Sequence, residues 1–154
     1  MKGNSQILTL LNDRLAEELT AISMYMVHSE MCANWGFEKL HQAFEKQAHD
    51  EMKHAEMLIG RILFLEGTPT VSKLNHMKIG ANVTDMIAAD EDAEMGAIKG
   101  YNDTIAAAVT AGDDGTRELT AKILLDEERH VDWAEAQREL MAQMGLQNYM
   151  ANQA

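Results

Sequence analysis

Apolar residues recur at helical spacing along almost the whole of this chain. Ile7, Leu8, Leu11, Leu15, Ile22 and Met26 trace one stripe and predict a first helix over about residues 5–34. Asn34-Trp35-Gly36 ends it, with Gly36 suited to the left-handed position beyond a helix. Leu40, Phe44, Leu58, Ile62 and Leu65 trace a second helix, about 37–66, stopped by Gly67-Thr68-Pro69. A third, about 84–110, carries Ile87, Ile98, Tyr101 and Ile105; a fourth, about 115–144, carries Leu119, Ile123, Val131, Ala134 and Met141. A short fifth helix over about 146–152 follows Gly145. The expected fold class is all-α.

Few residues join the first helix to the second or the third to the fourth, so each pair is expected to form an antiparallel hairpin. The joint between the hairpins is longer. From Gly67 to Asn82, some 15 extended residues reach roughly 50 Å, and a 30-residue helix is about 45 Å long. This segment can therefore cross the full length of a four-helix bundle. The 154 residues are expected to make a single domain, 1–154, with a proper core.

Composition narrows the partners. Apolar residues make up 46% and charged residues 25%, and the only proline is Pro69, a helix-favouring globular balance. A net charge of -12 argues against nucleic acid or an anionic membrane and favours cations. The single cysteine, Cys32, allows neither a disulfide framework nor a four-cysteine metal knuckle. No apolar signal segment opens the chain and no apolar run is long enough for a bilayer, so a cytoplasmic location is expected.

Against that background, four carboxylates fall on stripes that ought to be core. Glu18 lies among Leu11, Leu15, Ile22 and Tyr25, and Glu51 among Phe44, Ala48, Ala55 and Leu58. Glu94 lies among Ile87, Asp90, Ala97 and Tyr101, and Glu127 among Ile123, His130 and Ala134. Glu18 and Glu51 are 33 residues apart, as are Glu94 and Glu127. Both pairs straddle a turn symmetrically, so each hairpin sets a Glu opposite a Glu-x-x-His. Glu51…His54 and Glu127…His130 are offset by 76 residues, like two copies of one hairpin. Glu and His three residues apart share one helix face. Four carboxylates and two imidazoles would then converge in the bundle centre, where each buried ion costs several kcal/mol unless compensated. Two divalent cations balance four carboxylates with both imidazoles neutral, and an oxygen-rich set with two nitrogens suits Fe(II) or Mn(II). A further Glu38…His41 pair lies about 80° off the Glu51 stripe and has no counterpart 76 residues on, so it reads as surface.

The chain resembles the bacterioferritins, ferritin-like di-iron proteins, almost from end to end. The resemblance is carried by the MKG start, NWG at 34–36, DEMKHA at 50–55, RILFLEG at 61–67, DEE-x-H-x-DW ending at Trp133, and MGLQNY at 144–149. The carboxylate and histidine set is a match to the ligand template already known of such bundles and not an independent derivation. The resemblance implies a ferritin-like four-helix bundle with one long crossover and a short C-terminal helix. It implies a ferroxidase oxidising Fe(II) with O2 or peroxide, Glu18 and Glu94 as terminal ligands, Glu51 and Glu127 as bridges, and His54 and His130 as nitrogen ligands. It further implies a hollow shell of twenty-four chains storing ferric mineral, with or without a second kind of subunit, and a small redox protein for iron release. Haem b is implied between pairs of subunits, held by Met52 of each chain, with Leu19, Ile22 and Met26 lining its pocket. Met52 follows Glu51 and so points about 100° away from the metal stripe, yet it is one of 12 methionines, most of which must pack.

Tyr25 and Trp133 stand near the site and can relay electrons or simply pack beside it. Asn34, Glu66, Asp132 and Glu139 match residues lining a pore through which iron enters in relatives, and are otherwise ordinary surface polars. One departure is Lys46, where some relatives have a histidine that joins Asp50 in an inward-facing iron site; that inner site is not expected here. Two other functions fit the same bundle: a di-iron or di-manganese oxidase or peroxidase without storage, and a haem-carrying shell subunit with a weak metal site.

Overall fold

In a computed structural model describing residues 1–154, the chain forms five helices and no strand: α1 (Ser5–Trp35), α2 (Glu38–Phe64), α3 (Val83–Ala111), α4 (Asp114–Met144) and α5 (Leu146–Ala151). Side chains cap the starts of α1, α3 and α4. Asn4 accepts from the N–H groups of Gln6 and Ile7, Asn82 from that of Asp85, and Asp113 from that of Thr116. The tight turns rest on Gly36 at φ 84° and Gly112 at φ 68°, a region other residues enter at a cost. The end of α2 differs from the expected glycine stop. Helix geometry ceases after Phe64, and Glu66, not Gly67, takes the left-handed turn at φ 60°. Gly67 serves packing instead, because a Cβ there would lie 2.5 Å from the side chain of Leu8.

Helix α3 packs antiparallel on α1, as shown by Arg14 against Thr104, Tyr25 against Glu94 and Cys32 against Met86. Helices α2 and α4 meet through Arg61 against Thr116 and His54 against Asp126. The result is the ferritin-like bundle, two hairpins face to face. Its core is split in two. One apolar cluster contains Leu11, Leu15, Leu58, Ile62, Tyr101 and Ile123; the other contains Tyr25, Phe44, Met86, Ile87, Ala134 and Tyr149. Each fully buried aliphatic side chain contributes about 1.5–3 kcal/mol. These clusters clamp the bundle above and below one polar layer.

Residues 65–82 run as an irregular strap up the whole of α1. Asn12 binds the backbone of Thr68 and Thr70, Thr20 accepts from the N–H of Asn75, and His28 Nε2 accepts from the N–H of Gly80 at 3.0 Å. An irregular segment can lie against the bundle because these side chains satisfy its backbone groups. At the far end α5 folds back, with Tyr149 buried and its hydroxyl donating to Gln137. No helix is long and apolar enough to cross a membrane.

Candidate metal centre

The polar layer between the two clusters is the set of six residues. Glu18 comes from α1, Glu51 and His54 from α2, Glu94 from α3, and Glu127 and His130 from α4; all are buried. They fall into two overlapping groups: Glu18, Glu51, His54 and Glu127, and Glu51, Glu94, Glu127 and His130. Within each group the metal-binding atoms all lie within 4.8 Å of one another, and Glu51 and Glu127 belong to both. His54 Nδ1 is 2.9 Å from Glu51 and 3.4 Å from Glu18 and Glu127. His130 Nδ1 is 2.9 Å from Glu51, 3.2 Å from Glu94 and 3.4 Å from Glu127. The two Nδ1 atoms thus face one carboxylate-lined space.

Electrostatics in this layer are those of a site built for positive charge. Burial opposes ionisation of Glu18, but hydrogen bonds from Glu51 and His54 outweigh it and hold its carboxyl down at about 2. Glu94 is likewise held low, by His130 and Glu127, against its burial. Burial and the neighbouring charges of Glu18 and Glu94 push Glu51 and Glu127 well above the carboxylate range. Both imidazoles, though burial disfavours their charge, are raised to about 12 by the surrounding carboxylates. Protons therefore supply the balancing charge. They do so incompletely: Glu18 Oε2, Glu51 Oε1 and Glu127 Oε2 are buried without a well-formed hydrogen bond. Orphaned polar atoms of this kind cost about 1–3 kcal/mol each. Two divalent cations would satisfy all three and replace the protons, so the donor set fits a pair of metal ions.

Four hydrogen-bonding partners surround the six, and of these only Tyr25 was expected beside the site. Tyr25 donates to Glu94 at 2.6 Å, and Tyr101 donates to Glu18. His54 Nε2 meets Asp126 at 2.8 Å, and His130 Nε2 meets Asp50 at 3.4 Å. A signal for them existed. Tyr25 and Tyr101, and Asp50 and Asp126, are separated by the same 76 residues as the ligand pairs.

The centre is open on two sides. A cavity of about 190 Å³ between α1, α3 and the strap has the exposed Asn75, His76 and Asp92 at its rim and Glu18, Glu51, Glu94 and Glu127 at its base. A second groove, between α2 and α4, reaches the other flank, with Lys46, Asp50, Asp126 and Arg129 around His54 and His130. Lys46 is 2.9 Å from Asp50 and occupies it as an ion-pair partner. His41 is half-buried and hydrogen-bonds Ser29 at 2.9 Å, so it is packed rather than free on the surface, and away from the centre.

Of the other expected residues, Met52 is 45% exposed on the outer face of the α1–α2 hairpin, in a groove it shares with Ile22 and Met26. Leu19 is not part of that groove; it packs on the apolar cluster that contains Leu15. Trp133 stacks edge-on against Phe44 at 5.6 Å, and Phe44 lies 6.3 Å from Tyr25. Asp132 and Glu139 flank one acidic groove on α4. Asn34 and Glu66 sit at opposite ends of the bundle, the latter paired with the N-terminal amine of Met1. One chain cannot bring these four together.

Compared with known proteins, residues 8–144 match the family described as the ferritin-like domain. The chain is 40% identical over 154 residues to the bacterial ferritin of Synechocystis sp., covering 99% of each. It is 38% identical over 151 residues to the bacterioferritin of Mycolicibacterium paratuberculosis, covering 98% of this chain and 95% of that one. Similarity to the bacterial ferritin of Paramagnetospirillum magnetotacticum is 39% over 156 aligned positions, with 100% and 95% covered.

Proposed function

The chain belongs to the bacterioferritin family of ferritin-like proteins, and on that premise we propose that it oxidises Fe(II) at the six-residue centre and stores the ferric product. One observation carries the reading: two ligand groups that share Glu51 and Glu127. That is the layout for a pair of adjacent ions, which in two-metal sites stand about 3.5–4 Å apart. Glu18 and His54 hold one substrate Fe(II), Glu94 and His130 the other, and Glu51 and Glu127 bridge them. Each ion gives up one electron. O2 takes the two electrons with two protons and leaves as hydrogen peroxide; if peroxide is the oxidant, it leaves as two waters.

The chain's part is placement and charge. Deprotonation of Glu51 and Glu127 and of both imidazoles makes room for the ions, while the apolar clusters on either side restrict water. Tyr25 and Trp133, linked through Phe44, form an aromatic path that would serve as an electron relay. Met52, exposed beside Met26 and Ile22, would hold haem b through its thioether, a soft donor, together with a second chain. Bound haem would supply a route for electrons to the stored mineral, delivered by a small redox protein. Under the same reading the chain is cytoplasmic and assembles into a hollow shell of twenty-four copies, alone or with a second subunit type. Asn34, Glu66, Asp132 and Glu139 meet around an iron pore only where several chains join.

Stopped-flow absorbance in the near ultraviolet, with Fe(II) added stepwise to the metal-free protein under air, tests the central step. A fast phase saturating at about two irons per chain is expected, and Glu51→Ala should abolish it. A rate no faster than the protein-free control would overturn the reading.

A further inference from the structure

The outer partners of the six residues follow a rule that the ligands alone do not show. Glu18 and His54 belong to the first hairpin, yet their partners Tyr101 and Asp126 belong to the second. Glu94 and His130 belong to the second hairpin, and their partners Tyr25 and Asp50 belong to the first. Every outer contact crosses between hairpins, and the two sets are related by the 76-residue repeat.

We propose that Tyr101 and Asp126 are positioning residues for one metal of the pair and Tyr25 and Asp50 for the other, so that each hairpin fixes the terminal ligands of its neighbour. The inference rests on the di-metal reading above and adds which residues govern which half. The physical argument starts from the imidazoles. When Nε2–H donates to an aspartate, the proton is fixed on that nitrogen and Nδ1 is left as the bare donor. In both rings Nδ1 is the atom that faces the carboxylates and Nε2 the atom that faces Asp126 or Asp50. Each tyrosine hydroxyl then ties down one oxygen of a terminal glutamate: Glu94 Oε1 by Tyr25 and Glu18 Oε1 by Tyr101. The other oxygen of Glu18, Oε2, has no well-formed hydrogen bond and lies 3.4 Å from His54 Nδ1, on the side of the centre. Glu51 and Glu127 receive nothing from these four groups. Losing one positioning residue should therefore loosen one half of the centre and spare the other.

Co(II) titration of the metal-free assembled protein, read by visible absorption and calorimetry, separates the possibilities. Wild type should take two Co(II) per chain. Asp126→Asn and Tyr101→Phe should each leave one equivalent at wild-type affinity and weaken the second by about 10–100-fold. Anomalous diffraction at the cobalt edge should place the retained ion beside Glu94 and His130. Asp50→Asn and Tyr25→Phe should retain the opposite ion. Pairing two changes on one half, Asp126→Asn with Tyr101→Phe, should still spare one tight site, whereas Asp126→Asn with Asp50→Asn should weaken both. Equal weakening of both equivalents by a single change, or unchanged affinities with only a lower melting temperature, would overturn the proposal while leaving the di-metal reading standing. Should wild type fail to take two Co(II), both fall. If Asp126→Asn does not fold, the tyrosine pair carries the same comparison, since removing a hydroxyl preserves the ring packing.

Discussion

At the scale of single residues, the centre spends stability to hold acids where a core should be. Glu51 and Glu127 are buried within a layer that also contains two ionised glutamates, and only shared protons make this tolerable. A consequence can be measured. In the metal-free centre, burial and neighbouring charges favour the protonated forms of Glu51 and Glu127, and the surrounding carboxylates raise His54 and His130 to about 12. A divalent ion must displace those protons, so affinity should rise with pH and fall on acidification. Adding Co(II) or Mn(II) in weak buffer should release protons, read by pH-stat; no release would contradict this charge balance. The six residues were legible because acids on apolar stripes at repeated spacing are costly and therefore conspicuous. Tyr101 and Asp126 were not. Tyr101 satisfies the stripe as a ring while its hydroxyl works elsewhere, and Asp126, which falls off the stripe, resembles any solvated acid.

At the scale of elements, helix periods and capping residues mark α1 to α5, and the hairpin turns lie where Gly36 and Gly112 point. The strap was legible as a length and not as a path. Its contacts are scattered hydrogen bonds to Asn12, Thr20 and His28, which have no period to detect. His28 is the most deeply buried of these pins. It bonds Asp90 through Nδ1 at 2.9 Å and the N–H of Gly80 through Nε2, all in the buried interior. His28→Ala leaves both partners without a hydrogen bond, at about 1–3 kcal/mol for each unsatisfied group. The melting temperature should drop, and amide exchange at Gly80 should accelerate far more than at the buried amides of α2. Uniform exchange across the chain would show that the strap is not pinned there. The end of α2 is a smaller lesson: Gly67-Thr68-Pro69 marks the stop, but Gly67 is claimed by tight packing on Leu8 and Glu66 takes the left-handed turn.

At the scale of the whole molecule, a single chain shows surfaces that ask for company. Phe64, Val71 and Leu74 are each at least half exposed, as is Met26 beside Met52. Large apolar side chains left open in this way mark interaction sites. Haem binding and assembly could be reached in the sequence only through resemblance, because both would be made by residues from more than one chain. Light scattering should therefore find particles far heavier than the 17.2 kDa chain. Met52→Leu should remove the haem absorption band while the fast iron phase persists, since Met52 lies outside both ligand groups. Loss of the iron phase together with the haem band would contradict that separation.

The claim on which everything else depends is that two ions sit side by side in the polar layer. Anomalous diffraction from crystals soaked in Fe(II) without oxygen tests it directly. Two peaks about 3.5–4 Å apart are predicted, one beside Glu18 and His54 and one beside Glu94 and His130, with Glu51 and Glu127 between them. A single peak, or iron bound only outside the bundle, would contradict the account.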